Sequence, residues 1–317
     1  MNHLKSAAFV AAMILIEFLL LGCEAAKVVS APQPPPVVVT EPPPAKPQQP
    51  PKAGTPKPAD PGGAPSGPGG GVPTDSIREI VEGSACARYG WKDRGSAFFG
   101  YVHGVALSYA RAVCNKTVPR PLGDHRDSLV HYGITGGDLL LKTYALMIGL
   151  GMRESNGRHC VGRDTTNPAS GTGETCEGGI WQVSWDIRYY VKANNTCCEP
   201  LDIHMVDLFK DARGWNAKKC LLEEYREGMK EKFKNNGYGG ECSPANYENV
   251  GSGDGKEFQR VSKACPAFAA ALTAHALRVD KYHWGPIKKK EAELRPECEL
   301  MLAEVKALVK NSPQACP

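Results

Sequence analysis

Glu154 is the residue of this chain whose type and place most invite chemistry. It closes a stretch from Leu139 to Met152 that is apolar around most of its circumference, with Leu141, Tyr144, Leu146, Ile148 and Leu150 among its members. Such a stretch reads as a helix buried in a domain core. It is too short and too flanked by charge to span a membrane. Asn156-Gly157 supplies the stop that a helix end requires, which puts Glu154 in the last turn of a buried helix rather than on a solvated face. Burial disfavours the charged form and raises a carboxyl's pKa, so a Glu there holds a proton near neutral pH and can hand it to a leaving group. The same residue types also fit a structural ion pair with Arg153, Arg158 or Arg163, since ion pairs perturb pKa values too.

The residues that follow favour the chemical reading. A polar loop between Cys160 and Cys176 leads into Glu177-Gly178-Gly179-Ile180-Trp181-Gln182-Val183-Ser184-Trp185-Asp186. Two glycines let backbone approach a ligand, Gln182 offers both a donor and an acceptor, and the indoles present flat faces for sugar rings. A buried acid, a close-approach turn, an amide and indoles make up what a saccharide cleft needs. Glycoside cleavage usually employs two carboxyls, and the candidates for the second are Asp164, Glu174 and Glu177.

Here the chain resembles the lysozyme-like superfamily, with goose-type lysozymes and bacterial soluble lytic transglycosylases as its nearest members. The resemblance rests on Glu154-Ser155 after a hydrophobic helix and on the turn Gly179-Ile180-Trp181-Gln182, and it covers roughly Leu139 to Asp186. Trp181 departs from the Met usual in that turn. The resemblance implies a mainly α, lysozyme-like (α+β) fold, with Glu154 as catalytic acid and base and Ser155, Gly179, Trp181 and Gln182 lining the sugar site. It further implies cleavage of the β-1,4 bond between N-acetylmuramic acid and N-acetylglucosamine in peptidoglycan glycan strands, with no cofactor. In goose-type relatives an acid just before the Gly-Gln turn can position water, which points to Glu174 or Glu177. In lytic transglycosylases the sugar's own hydroxyl closes the reaction and no second carboxyl is needed.

The elements that must position these residues are read from the rest of the 317-residue chain. Residues 1–23 carry Lys5, an apolar run from Ala7 to Leu21 that includes Glu17, and the ending Leu20-Leu21-Gly22-Cys23, which describe a secretory signal. An anchor that is never cleaved fits the same residues. The segment resembles bacterial lipoprotein signals, which implies lipid on Cys23, a membrane anchor and, with Glu24 following, an outer-membrane lipoprotein facing the periplasm or the cell surface. Residues 24–74 hold most of the prolines and cannot bury enough apolar surface to fold, so they read as a tether. At about 3.1 Å per residue in polyproline II form its Ala31 to Pro73 part reaches on the order of 100 Å.

The folded domain is expected over 75–317. Ser76 with Glu79 predicts a capping box at its first helix. Phe98, Tyr101, Val102, Val105 and Tyr109 predict a second helix, and Lys116 to Gly137 reads as a loop. Ile187 to Cys220 has no clean period, Leu221 to Phe233 reads as a short helix, and Asn235 to Gly255 reads as a long loop. Pro266 opens a helix expected to end at Gly285-Pro286, with Tyr282 and Trp284 either lining the sugar site or packing under the helix end. A last helix is expected from Pro296 to about Lys310.

Twelve cysteines in a chain with an export signal point to a disulfide framework. A Cys160–Cys176 bond is expected, pinning the loop between Glu154 and Gln182 and contributing roughly 3 kcal/mol. No metal-ligand spacing of Cys or His stands out, so no metal site is expected. Two rival readings are a peptidase using a Cys beside a His, for which His159-Cys160 is the local candidate, and a wall-binding module that has lost catalysis. A net charge of +4 suits an acidic wall polymer and is too small to argue for nucleic acid.

Overall fold

The computed structural model describes residues 73–117, 119, 123–163, 172–188, 199–229, 248–279 and 284–317. The expectations for Cys23, the tether, Asp164 and Tyr282 lie outside these residues. The fold is mainly helical and cross-linked by disulfides. Among the described residues the helices are α1 (Pro73–Gly83), α2 (Phe99–Cys114), α3 (Ser128–His131), α4 (Leu139–Ser155), α5 (Glu199–Ala212), α6 (Leu222–Arg226), α7 (Gly253–Ala264), α8 (Pro266–Ala276), α9 (Gly285–Lys288) and α10 (Pro296–Asn311). One antiparallel ribbon joins β1 (Gly90–Trp91) to β2 (Gly95–Ser96), pairing Gly90 with Ser96 and Trp91 with Gly95. No described helix is long and apolar enough to cross a membrane.

The core is built on α2 and α4, the two helices whose sequences are apolar over most of their circumference. Residues 100–110 of α2 and 143–152 of α4 are buried without exception. The first packs against α1, α4, α6, α8 and α10, and the second against α8, α9 and α10 as well. Asp138 opens α4 by accepting a hydrogen bond from the Leu141 amide at 3.1 Å and by pairing with Lys306 of α10. Asn156, in the left-handed conformation at φ 55°, closes it as the sequence predicts.

Several local expectations give way to the tertiary structure. Helix α1 begins at Pro73, so Ser76 lies inside it and does not cap it. The segment read as a loop contains α3, whose cap Asp127 accepts from the Leu129 amide at 2.9 Å and is gripped by Arg278 at 2.8–3.0 Å, with both side chains buried. Helix α5 lies where no period was visible. Helix α7 arises from a polar sequence because only Phe258 and Val261 of its large apolar residues need to face inward. Helix α8 stops at Ala276, and Gly285-Pro286 opens α9 instead of ending α8.

Among the described residues three disulfides have both partners: Cys86–Cys298, Cys114–Cys316 and Cys220–Cys265. The expected Cys160–Cys176 bond is not formed. Cys160 is disulfide-bonded, and Cys176 is a buried thiol, so the partner of Cys160 lies outside the described residues. The loop before the Gly-Gln turn is therefore tied to another part of the chain rather than to its own end.

Candidate functional site

Glu154 stands in the last turn of α4, partly buried, with no hydrogen bond or ion pair to any described residue. None of the three arginines that offered a structural ion pair makes one with Glu154. Arg153 pairs with Glu291 at 3.2 Å, the Arg158 Nε donates to the Ser155 carbonyl at 3.1 Å, and the Arg163 Nε is buried without a hydrogen-bond partner among the described residues. Burial, and next the negative charge of Glu177, push the Glu154 carboxyl up to about 8, against the opposing pull of Arg94 and Arg153. The group is mostly protonated at neutral pH and can ionise without leaving the ordinary range of solution pH.

The turn that follows packs directly on the end of α4. The Gly178 amide donates to the Val183 carbonyl at 3.1 Å, and Gly179 and Gln182 take left-handed φ values of 82° and 48°. A side chain at Gly179 would be strained at that φ and would meet the Ser262 carbonyl of α7 at 2.9 Å. On the other side, Ile180 and the Tyr101 hydroxyl crowd Gly151, and no side chain larger than hydrogen fits there. Both the Trp181 indole and the Tyr101 hydroxyl donate to the Met147 carbonyl inside α4, at 2.9 and 3.1 Å. These contacts fix the turn, and with it Glu177, relative to Glu154.

Of the three candidates for a second carboxyl, Glu177 is the one whose charge reaches Glu154. Glu174 is committed to Arg188 at 2.5 Å, and Asp164 is outside the described residues. The structure assigns other side chains to structural tasks. Trp181 and Trp284 are at most 1 % exposed, so neither indole face is open to a sugar ring. Ser155 is buried and donates to the Gly151 carbonyl at 3.2 Å within its own helix. Gln182 is buried as well, and its Nε2 donates to the Gly179 carbonyl at 2.8 Å, which braces the turn from inside. All four side chains are buried, Trp284 packing as one of its two sequence readings has it, and the Gly-Gln turn acts as a packing device that carries Glu177. Gly179 is a close-approach residue whose neighbour in the structure is α7.

Three contributors were not visible in the sequence. Arg94 sits in the β1–β2 turn, exposed, next to Asp93 at φ 59°. The ribbon is held by Glu293, which accepts from the Lys92 amide at 2.9 Å, and by the Arg295 guanidinium, 3.8 Å from the Tyr89 ring centre. Glu291 enters from the segment after α9. Lys263 of α7 is buried below Gly178, its Nζ donating to the Glu248 carbonyl at 2.6 Å and to Asn249 Oδ1 at 3.0 Å, and burial lowers its pKa to about 8. The Lys92-Asp93-Arg94-Gly95 turn signal was the sole hint of Arg94, and nothing local tied it to Glu154.

The whole chain matches no family model, no curated protein and no solved structure.

Proposed function

We propose that this chain is a lysozyme-like enzyme that cleaves the β-1,4 bond between N-acetylmuramic acid and N-acetylglucosamine in peptidoglycan, with Glu154 as proton donor. The observation that carries the reading is the Glu154 carboxyl, held at about 8 at the end of a buried helix with Glu177 as its strongest acidic influence and with no ion pair to a described residue. A carboxyl that keeps its proton at neutral pH is what protonation of a glycosidic oxygen requires. As the bond breaks, the conjugate base at Glu154 takes a proton from the attacking group. That group is water held by Glu177, or the muramic acid's own hydroxyl. Arg94, exposed on the ribbon beside Glu154, supplies positive charge toward an acidic polymer.

The same reading includes export and anchoring. The lipoprotein-type signal would place Cys23 in a membrane leaflet, and residues 24–74 would let the domain search the wall above it.

The test is mass spectrometry of soluble products after incubating the full chain with purified peptidoglycan beside Glu154→Gln. Products ending in 1,6-anhydro sugars and lost in the variant support a lytic transglycosylase, and reducing ends support a hydrolase that uses Glu177. Glu154→Gln is expected to cut turnover by about two to four orders of magnitude. Absence of products, or an undiminished rate in the variant, sinks the assignment, and retained pelleting on peptidoglycan without products would indicate a binding module.

A further inference from the structure

A cavity of about 500 Å³ opens far from Glu154. Tyr144, the α4 residue that reaches it, is ten positions before Glu154, or about 15 Å along the helix axis. The volume lies within the range of small-ligand pockets, about 300–1,000 Å³. Its wall is mostly apolar, formed by Ala112, Tyr144 and Leu208 and by a strip of small side chains on α8, Ala267, Ala271 and Ala274. Two disulfides brace its rims. Cys114–Cys316 joins the end of α2 to the chain beside Pro317, and Cys220–Cys265 joins the chain beside Lys219 to the start of α8. Neither rim needs to be ordered by a ligand, which lowers the cost of binding.

Two of the polar groups lining the cavity, Arg111 and Lys219, are cationic and form no ion pair with a described residue. Arg111 directs its guanidinium at the carbonyls of Lys219 and Lys218, at 2.6 and 3.4 Å, and forms no ion pair with a described residue. Glu224 acts on it through charge alone. The Lys219 ammonium rests 4.3 Å from the centre of the Trp215 ring and is otherwise solvated. Trp215 itself lines the cavity, its indole N–H turned into the protein and away from the opening. Asn115 and Thr117 add neutral polar groups on the same side.

We propose that this cavity binds a small amphipathic anion, a carboxylate with an unbranched or aromatic apolar body. The body lies on the alanine strip of α8, and the carboxylate meets Arg111 and Lys219. An apolar wall of this size selects against a sugar, and two cations select against a cationic or neutral head group. This site is independent of the function proposed for Glu154.

The test is isothermal titration of the full chain carrying Cys23→Ser, so that no attached acyl group competes, with dodecanoate below its micelle threshold. Dodecyltrimethylammonium and dodecanol serve as the same tail with the opposite charge and with none. Dodecanoate is expected to bind once per chain and at least about tenfold more tightly than either control, the contribution of one charge-assisted contact. Ala271→Trp, which fills the cavity, is expected to abolish binding. Lys219→Glu, at an exposed position that leaves the core intact, is expected to weaken it by about tenfold or more. Absence of dodecanoate binding, equal affinity for the three amphiphiles, or binding unchanged by Lys219→Glu would each overturn the proposal.

Discussion

Replacing Glu154 with Gln should make the protein more stable, and more so as pH rises. The carboxyl is moved from 4.5 to about 8, chiefly by burial. Between those values the folded state holds a proton that the unfolded chain releases, so stability falls as pH rises through that window. At 1.36 kcal/mol per pH unit the whole displacement is on the order of 5 kcal/mol. Solvent contact at the open side of a partly buried carboxyl reduces the expected penalty to about 2–3 kcal/mol. Gln keeps the shape and carries no such penalty. The two proteins should therefore melt together near pH 4.5, and the variant should pull ahead above it until the gap levels off beyond pH 8. For a domain of this size the gain at pH 8 corresponds to about 5–10 °C in Tm. Thermal unfolding followed by circular dichroism from pH 4 to 9 measures it. Parallel melting curves across that range, or a loss of stability in the variant at pH 8, would refute the reasoning. Stability gained where turnover is lost would show Glu154 kept at an energetic cost for chemistry.

Other consequences follow from contacts elsewhere. Glu177→Gln removes the negative charge that helps hold Glu154 protonated, so the basic limb of the activity profile should move to lower pH; an upward move would contradict the placement of Glu177. Asp127→Ala leaves the buried Arg278 guanidinium uncompensated and should cost about 3–5 kcal/mol in urea unfolding, while joint replacement of both residues by apolar ones should cost less. Removing the Cys220–Cys265 bond, which spans 45 residues, should lower stability by about 4 kcal/mol in the chain-entropy estimate and, because it braces the cavity beside Lys219, should soften dodecanoate binding as well.

What the sequence by itself determined was whatever a turn or two of chain can decide. An apolar circumference makes α2 and α4 buried helices whatever they pack on, and Asn156-Gly157 ends α4 through its own backbone preference. Pro266 and Pro296 open α8 and α10 because proline lacks the N–H that a first helical turn leaves unused. The position of Glu154 in the last turn of a buried helix followed from those signals alone. Helix α7 was not legible, because a helix that buries few large apolar residues shows little period until its neighbours are known. The disulfide partners were not legible either, since a cysteine pairs with whatever the fold brings near it.

The roles within the Gly-Gln turn were likewise settled by tertiary contact. Residue type gave Trp181 and Gln182 the equipment to hold a sugar, but the Met147 carbonyl takes the indole N–H and the Gly179 carbonyl takes the amide. In a packed interior an indole or amide is satisfied by the first backbone groups it meets, here α4 for the Trp181 indole and the turn itself for the Gln182 amide. The charge environment of Glu154 was decided in the same way. Glu177 lies within reach through the turn, but Arg94 and Glu291 arrive from a ribbon and a segment at opposite ends of the domain. A pKa depends on every charge within several ångströms, and only the folded chain says which charges those are.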